Sequence, residues 1–213
     1  TMKTSIAIIG LGAVAARIHL PACRAVPDVE VIAACDPEPT ARTRMALKFG
    51  IPRTYPGIAE MLAEVQPEVV LIGAPPSTHF PIATKALESG AHVLCEKPLA
   101  PSAAEARAMF DAAKRNGVYL VEGYPYRAQP QTIKMRELLA DGAIGSVQMI
   151  QAAFGFPLTD AANIRMDPRL AGGALMDAGS YPVSLVRTIA GVAPHRVHAM
   201  SRWAPSGVDM TTM

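Results

Sequence analysis

The stretch Ile6-Ala7-Ile8-Ile9-Gly10-Leu11-Gly12-Ala13-Val14-Ala15 decides how the first half of the chain folds. An apolar run that predicts a strand leads into a GxGxxA pattern, and a helix is predicted over residues 14–26. The first glycine permits a tight turn, the second lets the backbone approach a pyrophosphate, and the alanine allows close helix–strand packing. N–H groups at the helix start would then face the pyrophosphate, at Gly10, Gly12, Ala13 and Val14. An ordinary βα turn is the alternative interpretation.

Asp36 supplies an acid at the end of the second predicted strand, 21 residues after Ala15. That spacing is typical of a carboxylate that accepts hydrogen bonds from the ribose hydroxyls of a dinucleotide. The carboxylate would repel a 2′-phosphate, which favours NAD over NADP. Arg42 and Arg44 follow closely and could instead serve a phosphate. Asp36 could also simply begin the Asp-Pro turn.

Continuous apolar strand runs alternate with helical stretches as far as residue 123, which predicts a doubly wound parallel sheet with both faces covered. The rhythm changes after that. A helix is predicted over residues 133–141, a long strand over 146–156, a helix over 172–190 and a strand over 196–203. This pattern indicates an α/β chain with a domain over 1–123 and an α+β domain over 124–213 that is built on an antiparallel or mixed sheet.

Composition excludes several classes of protein. The net charge is +2 and 18% of the residues are charged, with no basic block, so nucleic acid is not expected as a partner. No apolar run approaches the roughly 20 residues of a membrane helix. The three cysteines form no CxxC pair and indicate reduced thiols in a cytoplasmic protein. The histidines form no cluster with metal-ligand spacing, so no metal is predicted.

Two more strand ends carry unusual residues. The loop after the strand at 68–73 contains Pro75, Thr78 and His79, which would either wall the nicotinamide or form a turn with Thr78 as the helix N-cap. Glu96 and Lys97 follow a short buried strand, where adjacent charges are costly unless they are paired or functional. A lysine beside a positively charged nicotinamide would readily lose its proton and could then accept one from an alcohol. A surface Glu-Lys turn, fixed by a cis or trans Pro98, is the plainer interpretation.

The segment Gly172-Gly173-Ala174-Leu175-Met176-Asp177-Ala178-Gly179-Ser180-Tyr181 is the third such site. In a helix, Asp177 and Tyr181 are four residues apart and share a face. A carboxylate and a phenol at one pocket suit hydrogen bonding to a polyol and proton relay. A glycine-loosened helix with Asp177 near its positive end is the alternative.

Together these segments resemble the Gfo/Idh/MocA oxidoreductase family. The matching stretches follow one another along nearly the whole chain, at 10–15, 35–37, 74–79, 95–98, 126–130 and 172–181. The resemblance implies a Rossmann domain that binds NAD or NADP, followed by a substrate domain whose sheet mediates homo-oligomer contacts. It places the catalytic lysine at Lys97, a cofactor-ribose contact at Glu96 and the catalytic-face aspartate at Asp177. Tyr126, Arg127 and Arg165 are lesser candidates for cofactor or substrate contact.

Tyr181 stands where many family members have histidine, and resembles the glucose–fructose oxidoreductase, xylose dehydrogenase and dihydrodiol dehydrogenase branches. The implied activity is NAD(P)-dependent hydride transfer to or from a hydroxyl or carbonyl of a sugar, cyclitol or related polyol. Lys97 or Tyr181 would handle the proton. A non-catalytic regulator that senses the dinucleotide, and an inactive fragment of the enzyme, are the alternatives. Members of the family usually exceed 300 residues and build the second domain on an open, mostly antiparallel sheet. A chain of 213 residues is therefore expected either to be a fragment with an incomplete sheet or, if whole, to leave apolar surface of that sheet uncovered.

Overall fold

The structure is a computed structural model that describes residues 2–160 and 162–213. It divides into two compact units, Thr1–Gly123 and Tyr124–Met213. The strands of the first unit are β1 Thr4–Ile9, β2 Val29–Cys35, β3 Thr54–Tyr55, β4 Val69–Ile72, β5 His92–Glu96 and β6 Leu120–Gly123. Its helices are a π-helical segment Ala15–His19 that continues into α1 Leu20–Ala25, then α2 Pro39–Phe49, α3 Ile58–Glu64, α4 His79–Glu88 and α5 Ala103–Arg115.

The six strands form one parallel sheet in the order β3-β2-β1-β4-β5-β6. This is the strand order of the dinucleotide-binding doubly wound fold, in which the direction of winding reverses between β1 and β4. The predicted α/β class and parallel sheet are confirmed. The two-residue strand β3 was not predicted, because so short a strand carries no periodic signal.

The apolar core lies on both faces of this sheet. Along β1, Ala7 and Ile9 pack on one face and Ile6 and Ile8 on the other. The first face is covered by α3, α4 and α5, and the second by α1 and α2. Because both faces are buried from Ile6 to Ile9, this part of the strand is apolar at every position, which is why it appears as a continuous apolar run.

Gly10 ends β1 in a conformation that a side chain could not adopt. Its φ is +86°, and a Cβ atom there would lie 2.7 Å from the backbone N of Ala74. The Gly73 N–H also donates to Ile9 O at 2.8 Å. The glycine therefore allows the chain to turn tightly where β1 and β4 end side by side.

The second unit contains the helices α6 Pro130–Ala140 and α7 Ser180–Ala190, the latter preceded by a π-helical segment Leu175–Gly179. The strands β7 Ser201–Trp203 and β8 Asp209–Thr212 form an antiparallel pair. Short 3-10 turns lie at Pro125–Ala128, Ile164–Met166 and Pro168–Leu170.

The long strand predicted over 146–156 is wrong, because the structure assigns no regular secondary structure there. The segment has alternating apolar residues, but a strand forms only where its backbone pairs with a neighbour. None of the described strands pairs with this segment. The strand predicted over 196–203 is likewise shortened to Ser201–Trp203, the part that pairs with β8.

We expect Gly10→Ala to destabilise the first unit by about 2 kcal/mol or more, since a non-glycine residue at positive φ costs about 1–3 kcal/mol and the Cβ overlap adds to it. Denaturant unfolding followed by far-UV circular dichroism measures the loss. Gly12→Ala is the matched control, because a Cβ at Gly12 meets nothing within 4 Å. Equal loss of stability in both variants would contradict this assignment.

Candidate functional site

The glycine turn is hydrogen-bonded directly to Asp36, the acid that follows β2. The N–H of Leu11 donates to Oδ2 of Asp36 at 2.7 Å, and the N–H of Gly10 donates to Cys35 O at 2.9 Å. Gly12 and Ala13 are exposed, and a Cβ on Gly12 would meet open space. The structure thus leaves bare backbone at the helix start, beside a carboxylate, which is the arrangement that a dinucleotide requires.

Asp36 uses its two carboxylate oxygens differently. Oδ1 accepts the N–H of Glu38 at 2.9 Å, which is the turn interaction that the plainer interpretation predicted. Oδ2 accepts Leu11. A carboxylate offers about four acceptor positions, so two remain for ribose hydroxyls. The guanidinium of Arg42 lies beside this turn, where Nη1 donates to Asp36 O at 2.7 Å and to Pro37 O at 3.0 Å.

His79, at the end of the loop after β4, is buried in the protein and does not line an open site. The hydroxyl of Thr78 donates to Pro75 O at 2.7 Å and does not cap α4. His79 is completely buried, and its ring nitrogens lie 2.9 Å from Pro98 O and 2.8 Å from Ala74 O. Any contribution of His79 to a cofactor site therefore passes through the two turns that it contacts.

Glu96 and Lys97 lie at the carboxyl end of β5, half-buried, and the Lys97–Pro98 peptide bond is cis. Oε1 of Glu96 lies 3.0 Å from Nε2 of His19, and both side chains are largely buried. Oε2 of Glu96 accepts the N–H of Lys97 at 3.2 Å. Both oxygens of the Glu96 carboxylate therefore lie beside polar groups of the protein, so this buried charge is not isolated.

His19 was missed by sequence reasoning. A signal existed, because His19 lies four residues after the buried Ala15 and so on the inward side of the first helix. A titratable residue on an apolar face, at the sheet edge where ligands bind, is a candidate for a site.

Two cysteines immediately precede the two acids. Burial, with a contribution from the charge of Asp36, raises the pKa of Cys35 to about 11. Burial also raises the pKa of Cys95, with Glu122 and Glu96 adding to it. Both thiols therefore stay protonated at neutral pH and act as small apolar residues, not as nucleophiles.

In the second unit, Asp177 pairs with Arg165, whose Nε donates to Oδ2 at 2.5 Å. The same guanidinium lies 5.7 Å from the centre of the Phe156 ring. Arg165 and Asp177 line a cavity of about 470 Å³ whose wall also includes apolar residues such as Phe154 and Met210 and the polar residue Asp209. A few polar groups in a largely apolar wall can orient a hydroxyl-rich ligand.

Aromatic rings surround Tyr181. The ring centres of Tyr124, Phe154 and Tyr126 lie 5.3, 5.5 and 6.0 Å from it, mostly edge to face. The hydroxyl of Tyr126 is hydrogen-bonded to Ser184 Oγ at 2.8 Å. Such packing restricts the phenol ring to one orientation. Arg127 lies on the exposed turn Pro125–Ala128.

Asp177 lies within the π-helical segment Leu175–Gly179, so the four-residue spacing to Tyr181 does not follow regular α-helical geometry. The two residues have different neighbours, Arg165 for Asp177 and the aromatic rings for Tyr181. Lys97 belongs to the first unit and this pair to the second.

The double glycine before Asp177 is required by its surroundings. A Cβ on Gly172 would collide with Arg165 O, and Gly173 has φ +122° with Asp209 where a Cβ would be. Oδ2 of Asp209 accepts the N–H of Leu175 at 2.7 Å and the Thr212 hydroxyl at 2.8 Å. Sequence reasoning missed Asp209, which caps the helical segment from 34 residues away.

Among the described residues, no group of three or more His, Cys, Asp or Glu could hold a metal ion. Within the same residues, no helix has the length and hydropathy needed to cross a membrane.

Fold and glycine turn together define a dinucleotide-binding α/β protein. The family model of an oxidoreductase family with an NAD-binding Rossmann fold matches residues 4–124, and that of the GFO/IDH/MocA C-terminal domain matches residues 132–213. The chain therefore belongs to the GFO/IDH/MocA oxidoreductase family, which confirms the resemblance.

Named relatives agree with this assignment. The chain is 37% identical to D-xylose 1-dehydrogenase (NADP(+)) 2 of Haloferax volcanii, over 90% of this chain and 58% of that protein. The structure of an aldose-aldose oxidoreductase from Caulobacter crescentus complexed with glycerol is similar with a TM-score of 0.89 and 31% identity, over 97% of this chain and 65% of that one. The structure of GenD2 from gentamicin A biosynthesis, in complex with NAD, has a TM-score of 0.85 and 28% identity, over 100% and 61%. The chain thus spans about 60% of the length of curated relatives that it matches.

We expect Asp209→Ala to loosen the start of the helical segment that carries Asp177, because the N–H of Leu175 loses its acceptor and a lost cap costs about 1 kcal/mol. Hydrogen exchange should become about fivefold faster in a peptide covering residues 174–180. Asp209→Asn, which retains an acceptor oxygen, should change it less. Unchanged exchange at 174–180 in the alanine variant would show that Asp209 is not the cap.

Proposed function

We propose that this chain is part of an NAD(P)-dependent oxidoreductase that acts on a CH–OH group, or the corresponding carbonyl, of a sugar, cyclitol or related polyol. The observation that carries the proposal is the bare glycine turn at Gly10–Gly12, hydrogen-bonded to Asp36. The contact between His19 and Glu96 and the Arg165–Asp177 pair support the catalytic part of the proposal.

The residues fit a dinucleotide. Gly10, Gly12, Ala13 and Val14 would hold the pyrophosphate with backbone N–H groups, and Asp36 would accept the ribose hydroxyls. Pro75, Thr78 and Glu96, at the ends of neighbouring parallel strands, would line the nicotinamide half. His79 would act from the interior, and the exposed Arg127 would contact the cofactor from the second unit.

In this reaction the residues of the chain would transfer one proton and orient one alcohol group. When bound, the nicotinamide supplies a hydride acceptor or donor. The neutral amine of Lys97 or the phenolate of Tyr181 accepts the hydroxyl proton as an alcohol becomes a carbonyl, and returns it in the reverse direction. Asp177 orients the substrate hydroxyl or the proton-transfer partner, and Arg165 holds the Asp177 carboxylate in place.

Substrate class is supported by the names of relatives, which act on xylose, aldoses or trans-dihydrobenzenediol. The cavity beside Asp177 has the composition that a sugar requires, with an ion pair for hydroxyls and aromatic rings for the apolar faces of the ring.

NAD is proposed as the preferred cofactor because the Asp36 carboxylate lies where a 2′-phosphate would meet it.

We expect Asp36→Asn to improve the ratio of NADP to NAD affinity by about tenfold or more, since removing a like charge relieves a repulsion of a few kcal/mol. Fluorescence titration with NADH and NADPH gives both dissociation constants. Asp28→Asn, an equal charge change on an exposed residue, should leave the ratio unchanged. An unchanged ratio in Asp36→Asn would contradict the assignment.

We expect Lys97→Ala to lower turnover by about 100-fold or more, the contribution of a positioned acid–base group, while the NADH dissociation constant changes less than about threefold. Turnover is followed by the absorbance of the reduced cofactor with a panel of sugars and inositols. Lys85→Ala, on the exposed side of α4, is the control. Equal loss of binding and turnover would make Lys97 structural. Tight dinucleotide binding without turnover of any polyol by the unsubstituted protein would favour a sensor.

We also propose a homo-oligomer that forms through the C-terminal sheet, and a cytoplasmic location. Large exposed apolar side chains on the antiparallel pair, such as Trp203 and Met210, support the first proposal. Three unpaired cysteines support the second.

A further inference from the structure

The turn that follows β5 is held by side chains at three consecutive residues. The N–H of Lys97 donates to Glu96 Oε2 at 3.2 Å, and the N–H of Leu99 donates to Glu122 Oε1 at 2.8 Å. Between them, Pro98 O lies 2.9 Å from Nδ1 of His79. Side chains from three different elements therefore hold the backbone of this turn on either side of the Lys97–Pro98 peptide bond.

His79 is the member of this set that reaches a second turn. Its Nε2 lies 2.8 Å from Ala74 O, in the loop after β4, and the side chain is 0% exposed. Ala74 is also the residue on which Gly10 packs. One imidazole ring therefore bridges the loop beside the glycine turn and the turn that carries Lys97. Since the site is buried, water cannot replace a lost partner of Pro98 O.

We propose that His79 is a positioning residue for Lys97, acting through the contacts of its two ring nitrogens with Pro98 O and Ala74 O. The ring sets the distance between the loop after β4 and the turn after β5, and so fixes where the Lys97 side chain begins. This inference rests on the proposed role of Lys97 in proton transfer. A displacement of about 1 Å at a reacting group can cost about 100-fold in rate, so a residue that never touches substrate can control turnover.

The test compares His79→Asn and His79→Leu with His92→Asn. His92 begins β5, at the end of the strand opposite the turn that carries Lys97. Its Nδ1 accepts the N–H of Tyr119 at 3.0 Å, so it is a matched histidine outside the turn. Nitrogen-15 NMR of the unsubstituted protein reports which ring nitrogen of His79 carries a proton. Hydrogen exchange measures the amide of Leu99 in each variant.

We expect at least one ring nitrogen of His79 to carry a proton that exchanges slowly with solvent, because each ring nitrogen faces a buried carbonyl oxygen. Exchange at Leu99 should become about tenfold faster in both His79 variants and stay unchanged in His92→Asn. Turnover should fall about 10- to 100-fold in the His79 variants, while the KM for the dinucleotide changes less than about threefold. If His79→Leu does not fold, the asparagine variant and the nitrogen-15 NMR measurement still test the role of His79.

The proposal is overturned if no ring proton of His79 is protected from exchange, if exchange at Leu99 is unchanged, or if exchange rises equally across the first unit. Failure of the proposed function has a different signature. In that case the unsubstituted protein binds no NADH or oxidises no polyol, while the NMR and exchange results still show whether His79 holds the turn.

Discussion

The hydrogen bond from the Leu11 N–H to Asp36 is the interaction on which the candidate site depends. At 2.7 Å it joins the turn after β1 to the end of β2, so the backbone that would receive a pyrophosphate and the carboxylate that would receive a ribose form one element. The sheet makes this possible, because β1 is buried on both faces and its neighbours fix where it ends. Gly10 then turns the chain at a φ that other residues avoid. A shift of either strand end would separate the two parts.

Polar side chains at the carboxyl edge of the sheet contact groups on neighbouring elements. His19 partners Glu96, and His79 links Ala74 O with Pro98 O. Partnered groups of this kind keep fixed orientations, which a catalytic site requires more than it requires stability. In the second unit, Arg165 with Asp177 and the rings around Tyr181 give the same rigidity by different means, an ion pair in one case and ring packing in the other.

Much of the first unit could be predicted from sequence, because its signals are local. The glycine pattern, the acid after β2 and the apolar strands each follow from residues within about twenty positions of one another. The contacts of His19 and His79 could not be predicted, since each joins elements that are separated in the sequence. Asp209 is a further example, because its partner Leu175 is 34 residues away. The strand predicted over 146–156 failed for a related reason, because alternation shows that a segment can pair but does not supply the partner. Which residues contact a substrate remains a prediction.

Trp203 is the single tryptophan of the chain, and its side chain is 66% exposed at the edge of β7. Its indole emission therefore comes from one known position in the second unit, without a background from the first. In water that emission is shifted to long wavelength, and it moves to shorter wavelength when protein covers the ring. The emission wavelength of Trp203 therefore reports whether the antiparallel pair is covered.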